Sequence, residues 1–382
     1  MTGKSRDLTK GNRQTVLGCL LDGQALSRID IAKMTGFSPA TVNRLTAALM
    51  ASGLVEEVGS DISTGGRPSL LVKFNPQARQ ILAADVTQHG IELAETSLLG
   101  DVLSKRFISI KGLDGPGIMQ QFVRAIAEQC QAHKESPYVA VGVSVPGPVT
   151  SDGIVTIAPA VDWYDADLGT ALRREVPILC TVENDVNLIA YAEYHRQFAG
   201  TIDALVAIGV YQGVGAGIVE GGRLWRGNGG AAGQFGRMLM DVEGLRSNRK
   251  GFGQVERRLG ADALRERAVE AAVVISDDDS ADVVFKQVQE GDAKATQLFA
   301  EAMDEYAFQL ANLSAIVAPE VIVFAGLFEK WSHLVIPELE TRLEGNVLHR
   351  PTLLAATLKD DAKLVGAALY ACDRQGGILS LA

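Results

Sequence analysis

The amino-acid sequence predicts an α/β protein with a small N-terminal head and a larger, two-lobed body. Residues 1–75 read as three short helices followed by a β-hairpin. From residue 76 onward strands alternate with helices in two rounds, which is typical of two sheets with a cleft between them. We therefore expect a head at residues 1–75, a first lobe at residues 76–190 and a second lobe at residues 191–382.

The composition is that of a globular protein. Hydrophobic residues make up 47% of the 382 residues and charged residues 21%, which excludes general disorder and requires more than one core. No apolar run approaches the roughly 18–20 residues that span a bilayer, and no signal-peptide core is present, so we expect a cytoplasmic protein without a membrane partner. Reduced thiols are expected at the four widely spaced cysteines, Cys19, Cys130, Cys180 and Cys372.

Charge is distributed unevenly along the chain. The net charge of −10 argues against nucleic-acid binding over the whole surface. Residues 1–80 nevertheless hold ten Lys and Arg against six Asp and Glu, whereas the remainder holds 26 against 40. A basic head on an acidic body indicates that only the head meets a polyanion.

The head carries the local signals of a helix-turn-helix. The first helix is predicted over residues 12–21. Ser27 is suited to cap the second helix and Gly36 to end it. Ile29, Ile31 and Met34 of this second helix are expected in the core. The third helix begins at Ser38 and Pro39, an N-cap followed by proline at the first helical position. Its expected core positions are Val42, Leu45 and Leu49.

One face of the third helix is small, polar and singly basic. Its members are Ser38, Ala40, Thr41, Asn43 and Arg44. Such a set suits a helix in the DNA major groove, where Thr and Ala meet thymine methyls, Asn pairs with adenine, and Arg pairs with guanine or phosphate. A three-helix interaction module with a solvated face is the alternative.

A β-hairpin after the third helix has the features of a DNA-binding wing. Two strands, LVEEV and LLVKFN, flank the turn-rich segment GSDISTGGRPS. Arg67 lies beside Gly66 and Pro68 near the tip, where it can enter a narrow minor groove or contact a phosphate. Helix, turn, reading helix and basic wing in this order favour a DNA-binding winged helix-turn-helix.

Longer segments carry a specific resemblance. They are STGGRPSLLVKFNP, VSVPGPV, VENDVNLIAYAE, GVGAGIVEGGRLWRGNGGAAGQFGR and LANLSAIVAPEVIVFAG. With these segments in this order, nearly the whole chain resembles the ROK family (repressors, open reading frames and sugar kinases), in particular its branch with an N-terminal winged helix. The resemblance implies a bilobal actin-like ATPase fold of the sugar-kinase type. It also implies a DNA-binding repressor of carbohydrate-metabolism genes that responds to a sugar.

The resemblance further indicates what has become of kinase activity. Asp185 matches the catalytic base of the family's kinases, but in a sensor it would be a vestigial base that accepts a hydrogen bond from a bound sugar. The family's phosphate-holding Asp-x-Gly-Gly-Thr hairpin is replaced by the glycine-free segment Asp85 to His89. We therefore expect no kinase activity. A sugar kinase with an attached DNA-binding head is the alternative function.

Two other features of the family are altered. The glycines of the second loop, Gly213, Gly215 and Gly217, suit nucleotide contact or strand packing equally. For the family's structural zinc, Arg237 stands in the position of a ligating His, and the segment from residue 247 to residue 254 lacks the cysteine cluster. We expect neither a metal nor another cofactor.

The resemblance places sugar ligands at three retained positions, Asn184, Asp185 and Glu256. Three others have changed: Ala160 stands for Asn, Gln234 for Glu and Arg237 for His. Because these changes make the pocket more positive, we expect an anionic effector, a sugar phosphate or sugar acid, bound bidentately by Arg237.

Alternatives remain open around this pocket. Arg237 could instead pair internally with Asp241 or Glu243. Trp163 and Trp225 could stack on a sugar or pack in a core.

The expected assembly is a homodimer or homotetramer on a near-palindromic operator. A ligand would shift lobe closure and thereby the spacing of the paired heads. A repressor that answers to a protein partner and binds no sugar is a third possibility.

Overall fold

The structure, a computed structural model, describes residues 2–61, 69–135, 137–246, 251–274 and 280–382. The predicted wing residue Arg67 and residues 247–250 of the predicted zinc-loop segment lie outside the described residues. Within these ranges the chain forms a three-stranded head sheet, two five-stranded sheets and a two-stranded hairpin.

The head is a three-helix unit with a small sheet. Its elements are α1 (Thr2–Gly18), β1 (Leu26–Ser27), α2 (Arg28–Thr35), α3 (Pro39–Ala51), β2 (Val55–Asp61) and β3 (Ser69–Phe74). β3 lies between β1 and β2 and is antiparallel to both, so β2 and β3 form the predicted hairpin. The winged helix-turn-helix is therefore confirmed, although α1 begins earlier than the sequence indicated.

Two serine caps fix the helix-turn-helix. The Ser27 hydroxyl accepts a hydrogen bond from the Asp30 backbone N–H at 3.1 Å, and Ser38 does the same for Thr41 at 3.2 Å. Each cap satisfies an N–H that its helix would otherwise leave without a partner. Gly36 ends α2 in the left-handed region at φ 70°. These predictions from local sequence are confirmed.

The predicted core of α2 is wrong at two of three positions. Ile31 is fully buried, but Ile29 is 58% exposed and Met34 is 61% exposed. Residues two apart on a helix do not share a face, so burial of Ile31 against α1 and α3 turns Ile29 outward. Val42, Leu45 and Leu49 are buried in α3 as predicted.

The first sheet follows the head directly. Its region contains β4 (Ile81–Thr87), β5 (Gly90–Thr96), β6 (Val102–Ile108), α4 (Gly115–Ala132), β7 (Val141–Val145), β8 (Ile154–Ala158), β9 (Trp163–Asp167), α5 (Leu168–Glu175) and β10 (Cys180–Asn184). The sheet order is β10-β7-β4-β5-β6. β4, β5 and β6 form an antiparallel meander, and β7 and β10 add parallel to β4.

The second sheet repeats this plan. After α6 (Asp185–Glu193) come β11 (Ala204–Val210), β12 (Val214–Glu220), β13 (Arg223–Leu224), α7 (Glu256–Leu259), α8 (Ala261–Glu270), α9 (Asp282–Glu290), α10 (Ala293–Val317), β14 (Val321–Gly326), α11 (Leu327–Lys330), α12 (Ser332–Leu343), β15 (Thr352–Ala355) and α13 (Ala362–Arg374). The order β13-β12-β11-β14-β15 again joins an antiparallel meander to two parallel strands. The duplicated sheet confirms the predicted bilobal, actin-like body.

Two helices cross between the lobes. α6 packs against β11 and β12 of the second sheet, whereas α13, near the end of the chain, returns to β4, β7 and β10 of the first. This arrangement differs from the predicted intervals, because the boundary at residue 190 falls inside α6 and α13 was assigned to the second lobe. The two helices also pack against each other, so they form the link between the sheets.

The head is seated on the first lobe rather than tethered by a free linker. One buried apolar cluster runs from Val16 and Leu17 of α1, through Ile81 of β4, to Ala371 and Cys372 of α13. The turn that follows α13 contacts α1, where the Gln14 side-chain amide donates to the Leu379 carbonyl at 3.1 Å. Among the described helices, none has the length and apolarity needed to cross a membrane.

Candidate functional site: the interlobe cleft and the reading helix

A cleft of about 840 Å³ opens between the two lobes. It is bounded by residues that directly follow β4, β7 and β10 of the first sheet and β11 and β14 of the second. Ligands of α/β proteins bind at the carboxyl ends of parallel strands, where loops and helix N-termini present polar groups. The six positions that the family resemblance assigns to sugar contact all line this space, namely Ala160, Asn184, Asp185, Gln234, Arg237 and Glu256.

Asn184 is the N-cap of α6, and all of its side-chain hydrogen-bonding capacity is used within the protein. Its carbonyl oxygen accepts from the backbone N–H groups of Val186 and Asn187 at 3.0 and 3.1 Å. Its amide donates to the Gly147 carbonyl at 3.1 Å and to Asp185 Oδ1 at 2.9 Å. An amide side chain has two donors and two acceptor sites, and these four hydrogen bonds use all of them. The bond to Asp185 Oδ1 holds that carboxylate in position.

Asp185 opens α6 and points one carboxylate oxygen into the cleft. Its Oδ1 accepts from the Asn184 amide and from the Val186 N–H, each at 2.9 Å. Its Oδ2 lies 3.3 Å from Lys363 Nζ. The residue that the sequence marks as a vestigial base is thus half of an ion pair.

Lys363 was not found by sequence reasoning. It is the second residue of α13 and is 14% exposed, with its ammonium between two carboxylates and 4.5 Å from the centre of the Tyr211 ring. The second carboxylate, Asp85 Oδ2, is 4.0 Å away. Burial acts to lower the pKa of Lys363, but Asp85 and Asp185 outweigh it and hold that pKa above its ordinary value. Nothing near Lys363 in the sequence signals this pairing, because its partners come from β4 and α6.

The glycine-free hairpin lies on the same side of the cleft. β4 and β5 pair as far as Thr87 and Gly90, so Gln88 and His89 form a two-residue turn. Both side chains line the cleft, and the Gln88 amide is 3.3 Å from His89 Nε2. Side chains therefore occupy the place where the family's hairpin presents glycine backbone. Below the turn, burial raises the pKa of Asp85.

Arg237 and Glu256 stand at the other end of the cleft. Arg237 donates to the Gly251 carbonyl at 2.9 Å. Glu256, at the start of α7, accepts from the Gly253 N–H at 2.5 Å, and burial raises its pKa. The alternative pairing of Arg237 is not found among the described contacts, where Asp241 accepts from the Gly244 N–H and Glu243 pairs with Arg246.

Packing accounts for two of the three glycines in the second loop. A Cβ on Gly217 would lie 2.4 Å from the Val186 carbonyl oxygen, and one on Gly215 would lie 2.9 Å from the Val186 side chain. These glycines let α6 rest directly on β12. Gly213, at the turn before β12, and Gly215 also line the cleft, where the expected nucleotide contact stays a prediction.

Neither candidate tryptophan lines the cleft. Trp163 is 2% exposed, packs near Phe122 and donates from its indole to the Gly115 carbonyl at 2.8 Å. Trp225 is 47% exposed and lies apart from the cleft lining. Neither ring is placed to stack on a sugar in this cleft, and for Trp163 the core alternative is correct.

The DNA-reading face has the exposure that its predicted role requires. Ser38, Ala40, Asn43 and Arg44 are exposed, and Thr41 is half-buried with its hydroxyl 2.9 Å from that of Ser38. Behind this face, Arg28 donates to Thr46 at 3.1 Å and to Glu57 at 3.0 Å, which joins α2, α3 and the hairpin. The roles assigned to the exposed residues stay predictions.

Fold and site together define the class of protein: a winged helix-turn-helix on a two-lobed, sugar-kinase-like body. The chain belongs to the ROK family, whose sequence profile matches residues 85–374. The profile of the IclR helix-turn-helix domain matches residues 15–59 in the head.

Known proteins resemble both parts of the chain. This chain is 26% identical over 373 residues to the putative xylose repressor of Caldicellulosiruptor sp. (strain Rt8B.4), and the match covers 93% of this chain and 94% of that protein. It is 24% identical over 352 residues to the DNA-binding transcriptional dual regulator NagC of Escherichia coli (strain K12), covering 90% and 87%. A solved ROK family transcriptional regulator, a homolog of the E. coli MLC protein, has the same fold, with a TM-score of 0.78 over 98% of each chain at 22% identity.

The residues present do not fit the structural zinc expected of the family. Arg237 has no lone pair to give, and Gln254 Oε1 already accepts from the Met240 N–H at 2.9 Å. Over the part of the chain that the structure describes, no three His, Cys, Asp or Glu side chains are grouped as metal ligands.

Proposed function

We propose that this protein is a sugar-responsive, DNA-binding transcriptional repressor whose kinase-like body senses its ligand without phosphorylating it. The exposed polar face of α3 supports DNA recognition, as do the repressors and regulators that the chain resembles along both head and body. The observation that carries the sensing role is the ion pair between Asp185 and Lys363.

That ion pair works against phosphoryl transfer. A general base needs a free lone pair directed at the substrate hydroxyl. Three donors already surround the Asp185 carboxylate, from Asn184, Val186 and Lys363, so an incoming hydroxyl must compete with the ammonium for Oδ2. Lys363 also places a fixed cation between Asp185 and the buried Asp85. A divalent metal ion in the same position would be repelled by that cation.

The missing phosphate hairpin supports the same proposal. Gln88 and His89 form the turn at the end of β4, without the glycines that would let backbone N–H groups approach a phosphate. Since transfer needs base, metal and phosphate loop placed together, the cleft is suited to binding alone.

The proposed effector is an anionic sugar derivative, a sugar phosphate or sugar acid. Arg237 lines the cleft and uses one N–H for the Gly251 carbonyl, which leaves donors of its planar fork for an oxyanion. Gln234 and Glu256 lie in the same cleft for the sugar hydroxyls. We further propose that paired heads of a homodimer or homotetramer bind a near-palindromic operator.

A gel-shift experiment tests the proposal. The full chain is titrated against DNA from upstream of its own gene and against random duplex at one salt concentration. Each titration is repeated with xylose, N-acetylglucosamine and the phosphorylated forms of both. Selective binding that one sugar relieves supports the repressor. Equal affinity for both duplexes would refute it, and release of ADP from ATP with any of these sugars would favour the kinase.

A further inference from the structure

α13 reaches from the cleft to the head. At its first turn, Lys363 Nζ lies 3.3 Å from Asp185 Oδ2 and 4.0 Å from Asp85 Oδ2. Beyond its last turn, the backbone of Leu379 accepts a hydrogen bond from Gln14 of α1. The helix and the turn that follows it thus extend from the ligand cleft to the DNA-binding head.

The middle of α13 is held at backbone contact. A Cβ on Gly366 would lie 2.1 Å from the Leu188 carbonyl oxygen of α6, and one on Gly142 of β7 would lie 2.0 Å from the Ala367 carbonyl oxygen. Such close contacts leave no side-chain layer that could repack and absorb a displacement. A shift at the cleft end of α13 would therefore have to move the helix as a whole.

The far end of α13 is equally well coupled. The Tyr191 hydroxyl donates to Asp373 Oδ2 at 2.6 Å. Ala371 and Cys372 share a buried cluster with Val16 and Leu17 of α1. α1 in turn packs against α3, which carries the reading face. Contacts are therefore continuous from Lys363 to the reading helix.

We propose that Lys363 is the positioning residue that couples cleft occupancy to the DNA-binding head through α13. A polyhydroxylated ligand that donates to Asp185 Oδ2 takes the oxygen that Lys363 uses. The ammonium then loses its nearer partner, and the cleft end of α13 is released. This inference rests on the proposed sensing function and identifies the contact that the ligand breaks.

The test uses the full chain in the absence of any ligand. Lys363→Met removes the ammonium and keeps the apolar stem. Because that change leaves two buried acids close together, a second variant adds Asp85→Asn to remove one charge. The matched control is Lys330→Met, a cleft lysine of the second lobe whose ion pair with Asp282, at 2.7 Å, lies outside α13.

Amide hydrogen exchange is the first measurement, since it needs neither ligand nor operator. In both Lys363 variants we expect faster exchange at residues 362–366, at residues 10–18 of α1 and at residues 376–382. Exchange in β11 and β14 should stay as in the wild type. The Lys330→Met variant should exchange like the wild type throughout. Faster exchange confined to the surroundings of Lys363 would overturn the inference. So would the same change in Lys330→Met.

DNA affinity is the second measurement. The Lys363 variants should bind the selective duplex about tenfold more weakly than the wild type, a usual size for coupled sites, and Lys330→Met within twofold. A Lys363→Met, Asp85→Asn protein that binds like the wild type and still responds to the same sugar would refute coupling. If the wild type itself shows no selective binding, the proposed function fails, and the exchange experiment still decides whether α13 links cleft and head.

Discussion

Arg226 and Glu183 form a largely buried ion pair that joins the two lobes. Arg226 Nε donates to Glu183 Oε2 at 2.6 Å, and Glu183 is 1% exposed. Glu183 belongs to β10 of the first sheet, whereas Arg226 follows β13 of the second and also donates to the Val149 carbonyl at 2.8 Å. The two lobes are thus braced by a charge pair that lies outside the residues lining the cleft.

Removing one partner of this pair should be costly. Arg226→Met leaves the Glu183 carboxylate without its cation, and we expect the free energy of unfolding to fall by about 3–5 kcal/mol in a urea titration. Adding Glu183→Gln should recover part of that loss. The exposed pair of Arg246 and Glu243 is the control, because Arg246→Met should cost less than about 1 kcal/mol. Equal losses in the two single variants would contradict the bracing role.

Arg44 and Lys33 should separate sequence reading from general DNA attraction. Arg44→Ala is expected to relax sequence preference and to cost about 1–3 kcal/mol on the selective duplex, because its exposed guanidinium lies on the reading face. Lys33→Ala, on α2, should weaken selective and random duplexes alike. Competition gel shifts at fixed salt measure both. If Arg44→Ala weakens both duplexes equally, Arg44 contacts phosphate.

Arg237 should determine the charge of the effector. Arg237→Gln keeps a donor for the Gly251 carbonyl but loses the cation, so affinity for a sugar phosphate or sugar acid should fall at least about tenfold while neutral sugars are unaffected. Calorimetry with matched neutral and anionic sugars measures the difference. A wild-type preference for neutral sugars would eliminate the anionic effector.

Glu256 should make folding stability depend on pH. Burial raises its pKa in the folded state above the ordinary value of 4.5, so the folded state holds this proton more tightly than the unfolded state does. The loss of folding stability from ionising the buried Glu256 carboxylate is absent below pH 4.5. It grows as the pH rises from there through the raised pKa. Urea titrations from pH 4 to pH 8 should show Glu256→Gln gaining stability relative to the wild type with rising pH. A difference between the two proteins that does not change with pH would contradict this assignment.

Local sequence predicted what local chemistry determines. Ser27 and Ser38 cap their helices because a cap depends on residues three positions away. The order of strands and the position of Asp185 at a strand end followed from the same kind of pattern, together with the family resemblance. The prediction that Ile29 is buried was wrong, although helical spacing alone places Ile29 and Ile31 on different faces.

Long-range partners could not be predicted. Lys363 meets Asp85 and Asp185 only because α13 crosses back to the first sheet, and no local pattern encodes that return. Arg237 donates to the Gly251 backbone carbonyl, and because every residue has such a carbonyl, the sequence does not indicate this partner. Trp163 is buried in a core, where its indole donates to the Gly115 carbonyl of α4, a residue distant along the chain.

The contact between the head and the turn that follows α13 has a consequence during synthesis. Gln14 and Leu379, which meet in the folded protein, are 365 residues apart. At about 5–20 residues per second, α1 leaves the ribosome roughly 20–70 s before the helix and turn that cover it. The surface of α1 that meets this turn therefore emerges early and stays uncovered until α13 and the turn have been synthesised.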